Sequence, residues 1–156
     1  MNIWLLHPFA GGPGLGRHYR PFWLADAWTK MGHRVVVVSA AFHHLHRQPR
    51  VPGPQRINDV DFWFLDAPRY RDGSLGRLRN NLSFGPAVRS AASAIAAQFG
   101  KPDLIIASSP HLFFISAAQQ VARQFGAGFW LEIRDLWPKI SSSSEVGLSR
   151  NAVSPC

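Results

Sequence analysis

Acidic residues are scarce in this 156-residue chain: nine Asp+Glu stand against 17 Lys+Arg, a formal charge of +8 with histidine neutral. Glutamate occurs only at Glu132 and Glu145. Lysine is scarce too, because 14 of the 17 basic residues are arginine, whose planar fork suits bidentate anion recognition. Phosphate-bearing ligands or an anionic membrane surface become the expected partners. Cysteine occurs once, at Cys156, which excludes an internal disulfide framework and fits a reducing compartment. No apolar run approaches the roughly 18 residues of a membrane span. Met1 to Pro8 has no basic n-region of a signal peptide, so a cytoplasmic protein is expected. Yet hydrophobic residues make up 46% of the chain, which excludes a disordered or purely electrostatic protein. The length suits one domain with a real core.

Short apolar runs alternate with helical periods. Ile3 to His7, Arg34 to Ser39, Phe62 to Leu65, Asp103 to Ala107 and Gly128 to Ile133 read as five strands. Between them Pro21 to Met31 reads as a helix with Trp23, Ala27 and Trp28 on one face. A second helical stripe is Val88, Ala92, Ile95 and Phe99, with Pro86 at its first turn or at a kink. A third is Phe114, Ala117, Ala118, Val121 and Phe125, closed by Gly126. This alternation predicts an α/β, Rossmann-like, doubly wound parallel sheet over 1–138. The serine-rich stretch 139–156 has no periodicity and is expected to be a poorly ordered tail.

In such a sheet ligands gather at the carboxyl ends of the strands. The first of these loops, Pro8 to Arg20, carries Gly11, Gly12, Gly14 and Gly16 and then Arg17, His18 and Arg20. Glycines admit backbone N–H groups to an anion, and the cations add charge, so phosphate or sugar contact is expected; tight packing is the plainer alternative. The dinucleotide spacing G-x-G-x-x-G is absent, and Ser39-Ala40-Ala41 stands where an acid would hold the ribose. The second loop, 40–57, holds His43, His44, His46, Arg47, Arg50 and Arg56, stiffened by prolines. No cysteine or carboxylate lies near enough in sequence to complete a metal site, and none is expected. The loop reads as a basic surface for an acceptor or a membrane, or as a solvated loop.

After the fourth strand comes Ser108-Ser109-Pro110-His111, where His111 could bind a hydroxyl or act as a base, while Ser109 and Pro110 could simply cap a helix. The G-x-S-x-G turn of a serine hydrolase is missing. The fifth strand ends in Glu132-Ile133-Arg134-Asp135, either an ion pair or part of a site beside His111. The arginines are scattered over loops and match no nucleic-acid-binding motif, so no nucleic-acid partner is expected.

Together, the glycine-rich loop through His18, Phe42 to Arg47, Ser108 to His111 and Arg134-Asp135-Leu136-Trp137-Pro138 resemble the N-terminal domain of family 4 glycosyltransferases, of the bacterial kind that builds O-antigen and capsule. The resemblance covers about residues 1–138 and implies half of a two-domain GT-B enzyme. It implies sugar transfer from a nucleotide-sugar donor to an acceptor, often lipid-linked at the cytoplasmic membrane face, with retention and without a metal or other cofactor. It implies that Gly11, Gly12, Gly14 and Gly16 approach the donor phosphates and sugar, and that His111 and Asp135 serve near the reacting centre. Arg17, His18, His43, His44, Arg47 and Arg134 would serve the acceptor side. The counterpart of the second domain is lacking, so the chain alone is expected to be inactive. A non-catalytic sugar- or phosphate-binding module is the rival. Membrane association is expected through Phe9, Tyr19, Phe22, Trp23 and the 40–57 loop.

Overall fold

The computed structural model describes residues 1–43, 45, 49–71 and 73–134. The expected tail at 139–156 lies outside the described residues. Two strands with almost no polar residue must be covered on both faces, and they take the middle of the sheet. They are β1 (Asn2–Leu6) and β2 (Arg34–Ala40). Beyond them lie β3 (Gly53–Ile57), β4 (Val60–Leu65), β5 (Leu104–Ser109) and β6 (Gly128–Ile133). The order is β3-β4-β2-β1-β5-β6, parallel throughout except for β3 against β4. This is an α/β, Rossmann-like fold with one antiparallel edge.

Alternation along each strand divides the core. Ile3, Leu5, Val35, Val37, Phe62 and Phe64 face α1 (Arg20–Lys30), while Trp4, Leu6, Val36, Val38 and Ile105 face α2 (Ser74–Phe99) and α3 (Ile115–Phe125). Gly126 ends α3 in the left-handed region (φ 67°), a conformation that costs glycine little.

Two expectations need correction. The 40–57 loop is shorter than read: its last five residues form β3, joined to β4 through Asn58-Asp59 with Ile57 opposite Val60. Pro54 is tolerated because β3 is an edge strand. Pro86 neither starts nor divides a helix, since α2 runs through it unbroken. Proline removes one N–H and crowds the carbonyl four residues back, and both Pro86 and Leu82 are exposed, so that carbonyl can face water. On α1 the buried residues are Pro21, Phe22 and Ala25, while Trp23 is 63% exposed.

Candidate functional site

From β1 the chain moves outward one way, to β2 and β4, and later the other way, from β5 to β6. The carboxyl ends of β1 and β5 therefore flank the point where the winding reverses, the place where open α/β sheets form a crevice.

The loop after β1 is held tightly. Gly11 donates its N–H to the His18 carbonyl at 2.9 Å, and a Cβ on Gly11 would lie 2.9 Å from Gly16 O. A Cβ on Gly12 would meet the Phe22 ring at 3.2 Å. Packing thus accounts for these two glycines, while Gly14 (φ 73°) and Gly16 (φ 100°) supply left-handed turns. Ser39, at the position where a dinucleotide enzyme would carry an acid, is buried and donates to Pro8 O at 3.2 Å. Arg50 is buried as well and is a loop strut: it donates to Ala40 O at 3.2 Å and to Leu15 O, and its guanidinium stacks 4.9 Å from the Phe64 ring centre. Burial lowers its pKa to about 10, so it stays charged at neutral pH. The expected surface role therefore does not fit Arg50. Arg56, also counted in that basic loop, is paired with Asp61 at 3.0 Å on the hairpin.

Phe9 sits at the centre of the crevice. Its ring meets those of His7, His43 and His111 at centroid distances of 6.4, 5.3 and 5.6 Å. Neither Phe9 nor His7 carries a motif. His7 follows an apolar strand and is fully buried; desolvation first, then the charge of Arg134, lowers its pKa to about 3. Its Nδ1 accepts the Phe9 N–H at 3.1 Å, and its Nε2 lies 3.1 Å from Arg134 Nη1. A neutral imidazole has one acceptor nitrogen. In either tautomer, one of these two donors faces another N–H rather than a lone pair. His18 lies against His7 at 5.8 Å between centroids.

Arg134 does not pair with Glu132. The Glu132 carboxylate instead takes Arg20 (Nε 3.1 Å, Nη2 2.5 Å) and the Ser108 hydroxyl (2.6 Å). Burial raises the pKa of this carboxyl, but the Ser108 and Arg20 hydrogen bonds outweigh that and hold it below the usual value. Arg20, expected among the loop's free cations, is thus neutralised, whereas Arg17 is exposed with no ion pair among the described residues.

His111 lies in the turn between β5 and α3, against Phe113 and Phe114. Ser109 and Pro110 do not cap that helix, which starts only at Ile115 with Phe114 at its N-cap. Both ring nitrogens of His111 are buried without a hydrogen-bond partner among the described residues, and burial lowers its pKa to about 4. A cavity of about 400 Å³ opens beside it, shared with Phe9, Ser109, Phe113 and two α2 residues, Arg77 and Asn81.

The structure thus brings together His7, Phe9, His18, His43, His111 and Arg134. His44, Arg47 and Asp135 lie outside the described residues. Among the described residues no three of His, Cys, Asp and Glu form a group that could hold a metal ion. No helix among them is long and apolar enough to cross a membrane. Phe9 and Phe22, expected to meet a membrane, are core residues, which leaves Trp23 as the well-exposed aromatic of that set.

No family model matches the chain, and no curated protein matches it. Among solved structures it is similar to the C-terminal domain of a hydrogenase from Pyrococcus furiosus, with 12% identity over 85% of this chain and 91% of that domain and a TM-score of 0.48. A likeness at that level says nothing of activity.

Proposed function

We propose that this chain is the acceptor-side half of a retaining glycosyltransferase and that its crevice receives a phosphorylated saccharide. The observation that carries the reading is the surplus of donors around His7: the Phe9 N–H and the Arg134 guanidinium converge on one imidazole with a single acceptor nitrogen. An oxyanion between Arg134 and His7 would accept from both and remove the conflict. Arg17 and His18 add donors on the same side, and the glycine loop is already braced by Arg50 and Ser39, so little ordering would be needed on binding. His111 would contact a sugar hydroxyl. Donor phosphates would be held mainly by a second Rossmann-like domain, and the two together would perform the transfer.

The test pairs this chain with a nucleotide-sugar-binding domain of a family 4 transferase and supplies nucleotide sugars with a polyprenyl-diphosphate saccharide. Label transfer with retained anomeric configuration is the expected result, reduced by Arg134→Gln. Binding of the phosphorylated saccharide without turnover in any pairing would leave a non-catalytic binding module. That second reading has its own support: Glu132, the acid at the end of β6, is already taken up by Arg20 and Ser108.

A further inference from the structure

The two edges of the sheet are built differently. At β3 the chain sets Gly53, Pro54, Gln55 and Arg56, residues that blunt an open edge against further pairing. At β6 the residues Gly128–Ile133 run in unbroken register with β5 and include no proline or lysine. Three of their side chains, Trp130, Leu131 and Ile133, are 66%, 36% and 54% exposed. The single charge on the strand, Glu132, is already neutralised by Arg20. Among the described residues no strand lies outside β6. An apolar strand with an open ladder is a template for one more strand.

Both faces of β6 present apolar surface. Trp130 stands beside Ile106 on the α1 side, where a groove of about 280 Å³ is lined by both and by Leu24 and Trp28 of α1. Phe129 stands beside Ile105 on the opposite side, and alternation puts Leu131 and Ile133 with it. Helix α3, which links β5 to β6, packs on that opposite side. A further right-handed step in the same direction would place its helix there again, so the winding itself leaves the groove open. A second copy of this chain matches both faces. The two-fold axis of an antiparallel pair stands perpendicular to the sheet and sets the residue on the axis opposite itself. An axis at Glu132 would oppose two carboxylates, and one at Trp130 would set Ile133 against Ala127, before the strand begins. An axis at Leu131 pairs the whole strand. On the α3 side it brings Leu131 against Leu131 and Phe129 against Ile133. On the α1 side it brings Trp130 against the other copy's Glu132, which holds Arg20, so a guanidinium meets an indole ring.

We infer that β6 pairs antiparallel with β6 of a second copy, with the two-fold axis at Leu131, so that the two sheets join into one. The blunted edge at β3 and the closed symmetry stop the assembly at two copies. Antiparallel pairing sets the two strand-end crevices at opposite ends of the joint sheet, so the dimer does not depend on the transferase reading.

The experiment follows the full chain by sedimentation velocity over a range of concentrations. A dimer in equilibrium with monomer, with a dissociation constant in the micromolar range, is expected. Leu131→Lys sets two ammonium groups against each other on the axis and should weaken the dimer at least about a hundredfold. Trp130→Ala should weaken it about tenfold. Both side chains are exposed in the single copy, so the urea midpoint of the monomer should stay in place. In a Cys156→Ser background, Leu131→Cys should give a disulfide-linked dimer on mild oxidation, because Cα atoms opposed across the axis lie about 4.5–5.5 Å apart. Trp130→Cys in the same background should not, because its counterpart is displaced along the strand beyond disulfide reach. A monomer at every concentration overturns the proposal and leaves the edge to a strand of another protein or of this chain beyond Arg134. A dimer that survives Leu131→Lys uses another surface and overturns it too, as does cross-linking through Trp130→Cys in place of Leu131→Cys.

Discussion

Asn80 and Asn81 are neighbours on α2, but their surroundings differ. The Asn80 amide donates to Phe42 O and to Pro68 O, both at 3.0 Å, and so ties the end of β2 to the segment after β4. Asn81 Oδ1 is buried and meets no donor among the described residues. The contrast extends to the two sides of the strand-end rim. Toward β2 and α1 most of the polar groups are matched, Arg50 Nε excepted: Ser39 with Pro8, the Arg50 terminal nitrogens with Ala40 and Leu15, Glu132 with Ser108 and Arg20. Between α2 and the β5–α3 turn, Asn81 Oδ1 and both His111 nitrogens are buried and unmatched among the described residues. Matched groups hold the fold, and unmatched ones cost stability. His7 stands between the two, matched at Nδ1 and crowded by a donor at Nε2.

The largest effect should come from the matched side. Arg50→Met removes the donors to two loop carbonyls and leaves them buried, which should cost about 3 kcal/mol in urea unfolding with an unchanged m value. A loss under about 0.5 kcal/mol would mean that the strut does not brace the glycine loop, and the contrast would weaken on its firmer side.

His7 tests the boundary through pH. Its folded pKa, about 3, lies below the unfolded value of 6.5, so protons bind the unfolded chain more readily. The contribution is fully present above pH 6.5 and is lost as pH falls from 6.5 towards 3. His7 by itself should make stability at pH 5 about 2 kcal/mol lower than at pH 7, and His111 adds a share in the same direction. His7→Gln, which keeps an acceptor for the Phe9 N–H, should flatten that slope. An unchanged slope would assign it to other groups, with His111, whose pKa is lowered to about 4, the next to test.

Much of the fold was legible because β1, β2 and β5 are apolar on both faces, and because Val88, Ala92 and Ile95 form a stripe that ends at Gly100. Strand β3 was not, since Gly53 to Ile57 shows no apolar alternation and exists through pairing with β4. Its available signal was Asn58-Asp59, with Asn58 at φ 51°, a two-residue hairpin turn between Ile57 and Val60. The first half of α2 escaped because its leucines face outward. At the site, His111 and Arg134 stood out at strand ends, whereas Arg77 and Asn81 reach the cavity only because a long helix crosses the sheet. The neutralisation of Arg20 depends on a carboxylate 112 positions away, beyond any local pattern.

The finest discrimination uses one substitution at two adjacent positions. Asn80→Leu should cost about 1.5 kcal/mol, because it strands the Phe42 and Pro68 carbonyls on the matched side. Asn81→Leu removes an oxygen that has no partner to lose, so its cost should stay within about 0.5 kcal/mol and can turn into a small gain. Side-chain volume and helix position are nearly the same in both, so the difference in urea midpoint isolates the hydrogen bonds. Equal losses would show that Asn81 serves the fold as Asn80 does. A loss at Asn80 alone would separate the amide that holds the fold from a neighbour the fold can spare.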